Sequence, residues 1–373
     1  MTLEAYHRLK RIPFAHGGLY AKPGARGYPD PVHDLLARTL EPIGERALDL
    51  NPGVGLTSLT LAHAGLAVDL IETSRAALRC LEATAREVRA WRVRRGLPWE
   101  VEPEAYDLVA LPLPAERGSA WVRQCLIAAS RALKPGGRLW LAGDRRKGFE
   151  RYFKEARALV GYGVVVTRDG PYRVAVLERE GPAPAPEEAW RRFESTVLGQ
   201  RLAFHHLPGV FSAGKIDPAS LLLLEALEGP VRGLRVLDLG GGYGALGAPL
   251  ARLGAEVTLV EDEWPAVLSA QRTLEANGLE GRVLHSDVDE ALKEGEAYDI
   301  VVTNPPFHVG GNVILDVARA FVQAAYARTR PGGRFFLVAN PFLKYEPLME
   351  ALFGNYRTAR VDRYKVLVSE KPA

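Results

Sequence analysis

Two cysteines in 373 residues, Cys80 and Cys125, cannot staple a fold or build a metal cluster. Both fall in helical apolar patterns and read as core residues. No apolar run reaches membrane-spanning length. The opening Met1-Thr2-Leu3-Glu4-Ala5-Tyr6-His7 lacks a signal-peptide pattern. The expectation is a cytoplasmic protein with neither a membrane nor a metal among its partners. Methionine, asparagine and glutamine are scarce and arginine far exceeds lysine, which suits a heat-adapted or GC-rich source and says little about function. An excess of one charge is also missing: 48 basic residues face 45 acidic ones, so the net +3 does not by itself argue for nucleic acid. The length exceeds one ordinary core and suits two domains.

What is present is a set of short apolar runs that end in polar or glycine-rich residues. Tyr298-Asp299-Ile300-Val301-Val302-Thr303 reads as a buried strand and runs into Asn304-Pro305-Pro306-Phe307. An Asn side-chain oxygen and a nearby backbone carbonyl can both accept hydrogen bonds from an exocyclic NH₂, and the prolines fix the carbonyl directions. Phe307 can stack on the ring that bears the amine. Upstream, Arg235 to Leu239 is a strand followed by Gly240-Gly241-Gly242-Tyr243-Gly244, with Asp238 just before the turn. The spacing is not that of a dinucleotide site, and a carboxylate there would repel a pyrophosphate but suit a cationic or amine-bearing ligand. The next strand, Glu256 to Val260, ends at Glu261, which can hold ribose hydroxyls. A third, Gly281 to His285, ends at Ser286-Asp287, where an acid can meet an adenine amino group. Each acid alone could be a helix cap or a loop end. Four such signals on consecutive strands describe S-adenosylmethionine.

Residues 235–340 resemble a class I S-adenosylmethionine-dependent methyltransferase. Asp238 to Gly244 resembles the family's first motif, Glu261 its ribose acid, Asp287 its adenine-side acid, and Asn304 to Phe307 its motif for amine targets. More narrowly, Asn304 to Gly310 and Pro208-Gly209-Val210-Phe211-Ser212 resemble the RsmC-type guanine-N2 methyltransferases of bacterial small-subunit (16S) ribosomal RNA. That resemblance implies an α/β fold of two tandem Rossmann-like domains, each a mostly parallel sheet flanked by helices with a terminal antiparallel strand. It implies that Phe211, Lys215, Asp238, Gly240, Gly242, Gly244, Glu261, Asp262, Ser286, Asp287 and Asn304 lie against the cofactor. Asn304, Pro305, Phe307 and His308 would meet the target base, with Asn304, Pro305 and Phe307 as the catalytic group. Glycine is usual in the relatives where Ala219 stands, so the match around Phe211 to Ser220 is looser.

The chain repeats itself. Arg46 to Gly55 aligns with Arg235 to Gly244, Glu72 with Glu261, Tyr106-Asp107-Leu108-Val109 with Tyr298 to Val301, and Lys134 to Arg138 with Arg330 to Arg334. Where the second copy has Asn-Pro-Pro-Phe, the first has Ala110-Leu111-Pro112-Leu113-Pro114. Asn51-Pro52 replaces two glycines, and Trp99-Glu100-Val101 is a poor counterpart of Ser286-Asp287. Residues 1–180 therefore read as a methyltransferase fold without chemistry, residues 181–189 as a Pro/Ala spacer, and residues 190–373 as the catalytic domain. Arg86, Arg89 and Arg92, spaced by three beside Trp91, Arg94 and Arg95, read as a helical row that could bridge RNA phosphates, against the usual fate of such a run as a solvated face. Arg357 to Val361 and Lys365 to Val368 read as a terminal antiparallel hairpin.

The chemistry expected is alignment of a guanine N2 with an activated methyl. Asn304 and the Pro305 carbonyl would accept the two N–H bonds, and no strong base is needed. His308 reads as pocket lining or an RNA contact before it reads as a base. The target must be unpaired or flipped out. Two other classes remain open: transfer to another planar amine (guanine N2 of large-subunit RNA, adenine N6, a protein glutamine), and a non-catalytic RNA-binding or assembly module. The expected partner is ribosomal RNA or the small ribosomal subunit.

Overall fold

The computed structural model describes residues 1–15, 17–212, 214–306 and 312–373, with residues 312–315 described by backbone alone. The chain forms two compact units: Leu9–Ala189, and Trp190–Ala373 together with Met1–Arg8.

The first unit opens on the hairpin of β1 (Lys10–Phe14) and β2 (Gly17–Ala21). Its sheet contains β3 (Arg46–Asp49), β4 (Ala67–Glu72), β5 (Trp91–Arg95), β6 (Tyr106–Pro112), β7 (Leu133–Asp144), β8 (Gly163–Asp169) and β9 (Tyr172–Glu178), in the order β5-β4-β3-β6-β7-β9-β8. Strands β3 to β7 are parallel, and β9 runs antiparallel to both neighbours. The second unit has its own hairpin, β10 (Arg191–Val197) with β11 (Gln200–His206). Its sheet contains β12 (Arg235–Leu239), β13 (Glu256–Glu261), β14 (Arg282–His285), β15 (Tyr298–Thr303), β16 (Thr329–Ala339), β17 (Arg357–Val361) and β18 (Lys365–Glu370), in the order β14-β13-β12-β15-β16-β18-β17. The two orders are identical strand for strand, so the repeat seen in the sequence is a repeat of topology.

The elements form for reasons visible in the residues. Strands covered on both faces must be apolar throughout. In β12 every residue after Arg235 is buried, and in β15 every residue but Asp299 is. Helices Trp264–Ala276 and Asn312–Arg328 supply the crossovers that parallel neighbours require. Asp217 caps the helix Pro218–Glu225 through the Ser220 N–H, with Pro218 at the first helical position, where its missing donor costs nothing. Cys80 and Cys125 are both buried in helices of the first unit, as their patterns suggest.

Three expectations are corrected. Residues 1–8 do not belong with the first domain. The helix Leu3–His7 packs in the second unit, where Tyr6 is 2 % exposed and part of the core. Residues 181–189, read as a Pro/Ala spacer, belong to the first unit: Glu187 pairs with Arg123, and the Pro184 carbonyl accepts from Arg131. The arginines from Arg86 to Arg95 do not share a helix. The helix ends at Ala85, Arg86 caps it, and Trp91–Arg95 is strand β5. Alternation across that strand buries Trp91 and turns Arg92 and Arg94 outward, with Arg92 3.6 Å from Asp69. The row of guanidinium groups therefore does not exist.

Candidate active site

Strands β14, β13, β12 and β15 are neighbours, and Asp287, Glu261, Asp238 and Asn304 follow or close them in that order. The acids and the amide therefore share the carboxyl-end rim of one parallel sheet, the edge on which such sheets bind ligands.

Asp238 is fully buried at the end of β12. Its Oδ2 accepts the Gly247 N–H at 2.8 Å, and its Oδ1 is buried with no hydrogen-bond partner. Burial, partly offset by that N–H and reinforced by the Glu261 charge, pushes its carboxyl up to about 7. The turn that follows depends on glycine for two different reasons. At Gly240, φ is +76° and an added Cβ would lie 2.8 Å from the Phe321 ring. At Gly242, φ is +57° and an added Cβ would meet only open space. The Gly242 N–H donates to Glu261 Oε2 at 2.9 Å, and Glu261 Oε1 accepts the Glu263 N–H at 3.1 Å. Burial raises the Glu261 carboxyl against these donors. Gly244, with φ +90°, closes the turn, its N–H donating to the Gly241 carbonyl.

The half-buried Asn304 is held by its nitrogen. Nδ2 donates to Asp217 Oδ2 at 2.9 Å and to Ser220 Oγ at 3.1 Å, while Oδ1 is buried without a partner among the described residues. The amide is thus oriented with its acceptor uncommitted. Thr303 Oγ donates to the Leu239 carbonyl at 2.7 Å and ties the end of β15 to the start of the glycine turn. Pro305 is buried and Pro306 exposed. Phe307 and His308 lie outside the described residues.

The remaining expected residues divide. Phe211 is 54 % exposed and Lys215 is exposed. The Lys215 carbonyl accepts from the Tyr243 hydroxyl at 2.9 Å and from Ser212 Oγ at 3.0 Å, which joins this segment to the glycine turn. Asp262 is half-buried, and its carbonyl accepts from His285 Nε2 at 2.6 Å. Ser286 spends its hydroxyl inside its own turn, donating to the Val288 carbonyl and accepting from the Ala291 N–H. Asp287 is 1 % exposed and accepts the Tyr6 hydroxyl at 3.1 Å, with His7 Nδ1 3.6 Å away. His7 also reaches Asp289 at 3.1 Å, and Arg328 reaches it at 2.8 Å. Burial opposes charge on His7, but the hydrogen bonds to Asp287 and Asp289 outweigh it and hold the imidazole above its ordinary range. Asp217, Ser220 and Tyr243 fall within segments the sequence singles out but were given no role of their own, and His285, Tyr6 and His7 are supporting residues that sequence reasoning missed. Only Asp217 carried a local signal, as an Asp-Pro helix start.

The first unit shows the same frame closed off. Asp49 has both oxygens engaged, by Ser58 Oγ at 2.8 Å and the Asn51 N–H at 3.3 Å. Glu72 accepts the Gly53 N–H at 3.1 Å, as Glu261 accepts that of Gly242. The space open above Gly242 is filled above Gly53, where an added Cβ would lie 2.6 Å from the Arg26 carbonyl oxygen and 2.9 Å from Gly27 Cα. Asn51 Nδ2 donates to the Pro112 carbonyl at 2.8 Å and so ties the end of β6 to the turn after β3.

Both halves match one family model, the methyltransferase small domain, over residues 17–175 and 201–368. Ribosomal RNA small subunit methyltransferase C of Chromohalobacter salexigens is 36 % identical over 290 residues, which cover 75 % of this chain and 84 % of that protein. The Pseudomonas aeruginosa protein of the same name is 38 % identical over 270 residues, covering 70 % and 78 %. A solved structure of the T. thermophilus 16S rRNA N2 G1207 methyltransferase, in complex with AdoMet and guanosine, is 64 % identical with a TM-score of 0.96 and covers 100 % of both chains.

Proposed function

The chain belongs to the methyltransferase small domain family and to the ribosomal RNA small subunit methyltransferase C group within it, and from that premise we propose that it methylates the exocyclic N2 of a guanine in 16S ribosomal RNA, guanine 1207 in the numbering of its relative. The observation that carries the reading is the Asn304 amide, whose nitrogen is committed to Asp217 and Ser220 while its buried oxygen has no donor among the described residues. A buried acceptor without a partner is costly and calls for a donor from a ligand.

The residues present fit S-adenosylmethionine. The orphaned Oδ1 of Asp238 suits an ammonium, Glu261 suits ribose hydroxyls, and the open space above Gly242 admits a ligand close to the backbone. Asp287, which accepts the Tyr6 hydroxyl, would meet the adenine. When bound, the cofactor supplies a methyl carried on a sulfonium and already activated for displacement. The protein's task is alignment. Asn304 Oδ1 and the Pro305 carbonyl accept the two N2–H bonds and turn the nitrogen lone pair toward the methyl at about 3–3.5 Å. The same two oxygens stabilise the positive charge that grows on nitrogen as the N–C bond forms and the S–C bond breaks. The cationic nitrogen is acidic and loses its proton to water. The first unit, with Asp49 satisfied and its pocket filled by Arg26-Gly27, is read as a non-catalytic partner.

The test is to incubate the protein with methyl-labelled S-adenosylmethionine and small-subunit RNA, free and assembled, and to map the labelled nucleoside by mass. N2-methylguanosine is the expected product. Label on adenine N6 or on protein would redirect the assignment, and an absence of label from both RNA forms would overturn it.

A further inference from the structure

Most cations at the two rims of the second sheet are paired, on the Asn304 rim as well, where Lys365 meets Glu346 at 2.5 Å. Where strands begin, on the rim away from Asn304, Arg235 and Arg282 pair with Glu296, Arg330 with Asp299 at 2.6 Å, and Arg357 with Glu228 at 2.9 Å. On the Asn304 rim stand three more cations: Arg360, the penultimate residue of β17, and Lys344 and Arg363, which follow β16 and β17. None of these three has an ion pair among the described residues, although Asp362 is close in sequence. The same rim carries the two most exposed large apolar side chains of the described protein, Phe342 at 76 % and Val361 at 69 %. A ring left that far in water gains nothing from the core.

Register fixes where these residues stand. Thr303, just before Asn304, pairs with Leu337; two residues on, Ala339 pairs with Lys365, and Lys365 with Val361. The ends of β15, β16, β18 and β17 therefore form one continuous ledge about 14 Å across, three strand spacings wide. Unpaired cations interleaved with an exposed aromatic ring, continuous with an amine-binding amide, are the chemistry that holds single-stranded nucleic acid: charge for the phosphates and a flat face for a base.

We propose that the ledge formed by Phe342, Lys344, Arg360 and Arg363 holds the single-stranded RNA flanking the target guanine, with Phe342 stacking on a neighbouring base. The inference rests on the reading that the substrate is RNA. It adds the residues that hold the strand beside the flipped nucleotide.

The probe is a fluorescein-labelled single-stranded oligoribonucleotide with one guanine in a uridine sequence, titrated against the full-length protein at several salt concentrations. Arg360→Ala with Arg363→Ala removes two phosphate contacts and should flatten the slope of log affinity against log salt by about 1.4. Phe342→Ala should weaken binding about 5- to 100-fold with the slope unchanged, because stacking releases no counterions. All these side chains are exposed, so cofactor affinity and melting temperature should stay at wild-type values. Wild-type affinity and slope in both variants would overturn the ledge while leaving the enzyme reading intact. Self-association of the arginine variant with unchanged RNA affinity would also overturn it, by showing that the charges only guard the edge strand. Wild-type protein that neither binds the probe nor labels RNA would remove the functional reading, and this inference with it.

Discussion

Replacing Asp238 by Asn keeps the shape of a buried side chain and removes its charge. The carboxylate is fully buried, with one donor at 2.8 Å on Oδ2 and none on Oδ1. Burial lifts its pKa from 3.8 to about 7. An acid raised by folding favours the native state while it is protonated. Its contribution to stability is therefore full below the unfolded value and is lost as pH rises toward about 7. A cationic ligand beside Oδ1 reverses the preference by favouring the carboxylate. Below about 7, binding must then expel a proton, so the apparent Kd for S-adenosylmethionine should rise about tenfold for each unit by which the pH falls, and be level above that value. In Asp238→Asn the Gly247 N–H still finds an acceptor, but the charge is gone. The ligand-free variant should melt higher than wild type, while its cofactor affinity should fall about 10- to 100-fold for the loss of one charged hydrogen bond. Calorimetric titration between about pH 6 and pH 8, with scanning calorimetry of the free proteins, measures both. Glu261 is raised in the same sense, so any slope that survives in the variant belongs to Glu261. A Kd flat with pH in wild type, and undiminished in Asp238→Asn, would refute the assignment of the orphaned oxygen to the ligand's cation.

Asn304→Ala should lower turnover about 10²–10³-fold with cofactor affinity nearly unchanged, since it removes an acceptor used only as charge develops; steady-state kinetics beside a binding titration separates the two. Asp217→Ala and Ser220→Ala should each give a smaller fall in kcat, because they free the Asn304 nitrogen without removing its oxygen. Calorimetry should find one cofactor site per chain, the pocket of the first unit being filled by Arg26-Gly27. His7→Ala should cost about 1–2 kcal/mol in chemical denaturation below about pH 6.5. Because folding raises the His7 pKa above 6.5, that cost should shrink as pH climbs through the folded value.

Much of the site was legible because its residues are local in sequence. Asp238, the glycine turn and Asn304 each follow an apolar run, and strand ends in a parallel sheet converge on one rim whatever the loops do. The duplication was legible for the same reason. What stayed hidden depends on distant partners. Nothing in Leu3–His7, five residues with no room for a periodic pattern, says that Tyr6 belongs to the second core. The grip of Asp217 and Ser220 on Asn304 spans more than 80 residues. The arginine run was misread because its spacing of three outweighed the alternation of Trp91 and Val93, the residues that β5 turns inward. Asn51-Pro52 marked the first copy as altered, but only the approach of Arg26-Gly27 shows that its pocket is filled from within.

The helix Leu3–His7 gives the protein a temporal order. Tyr6 leaves the ribosome 281 residues before Asp287, the carboxylate it will hold. At roughly 5–20 residues per second, that is a wait of about 14–56 s, long enough for the unit between them to fold first. Tyr6 is thus made long before the core that buries it. A chain stopped before β14 has the helix but no Asp287 for it to close on.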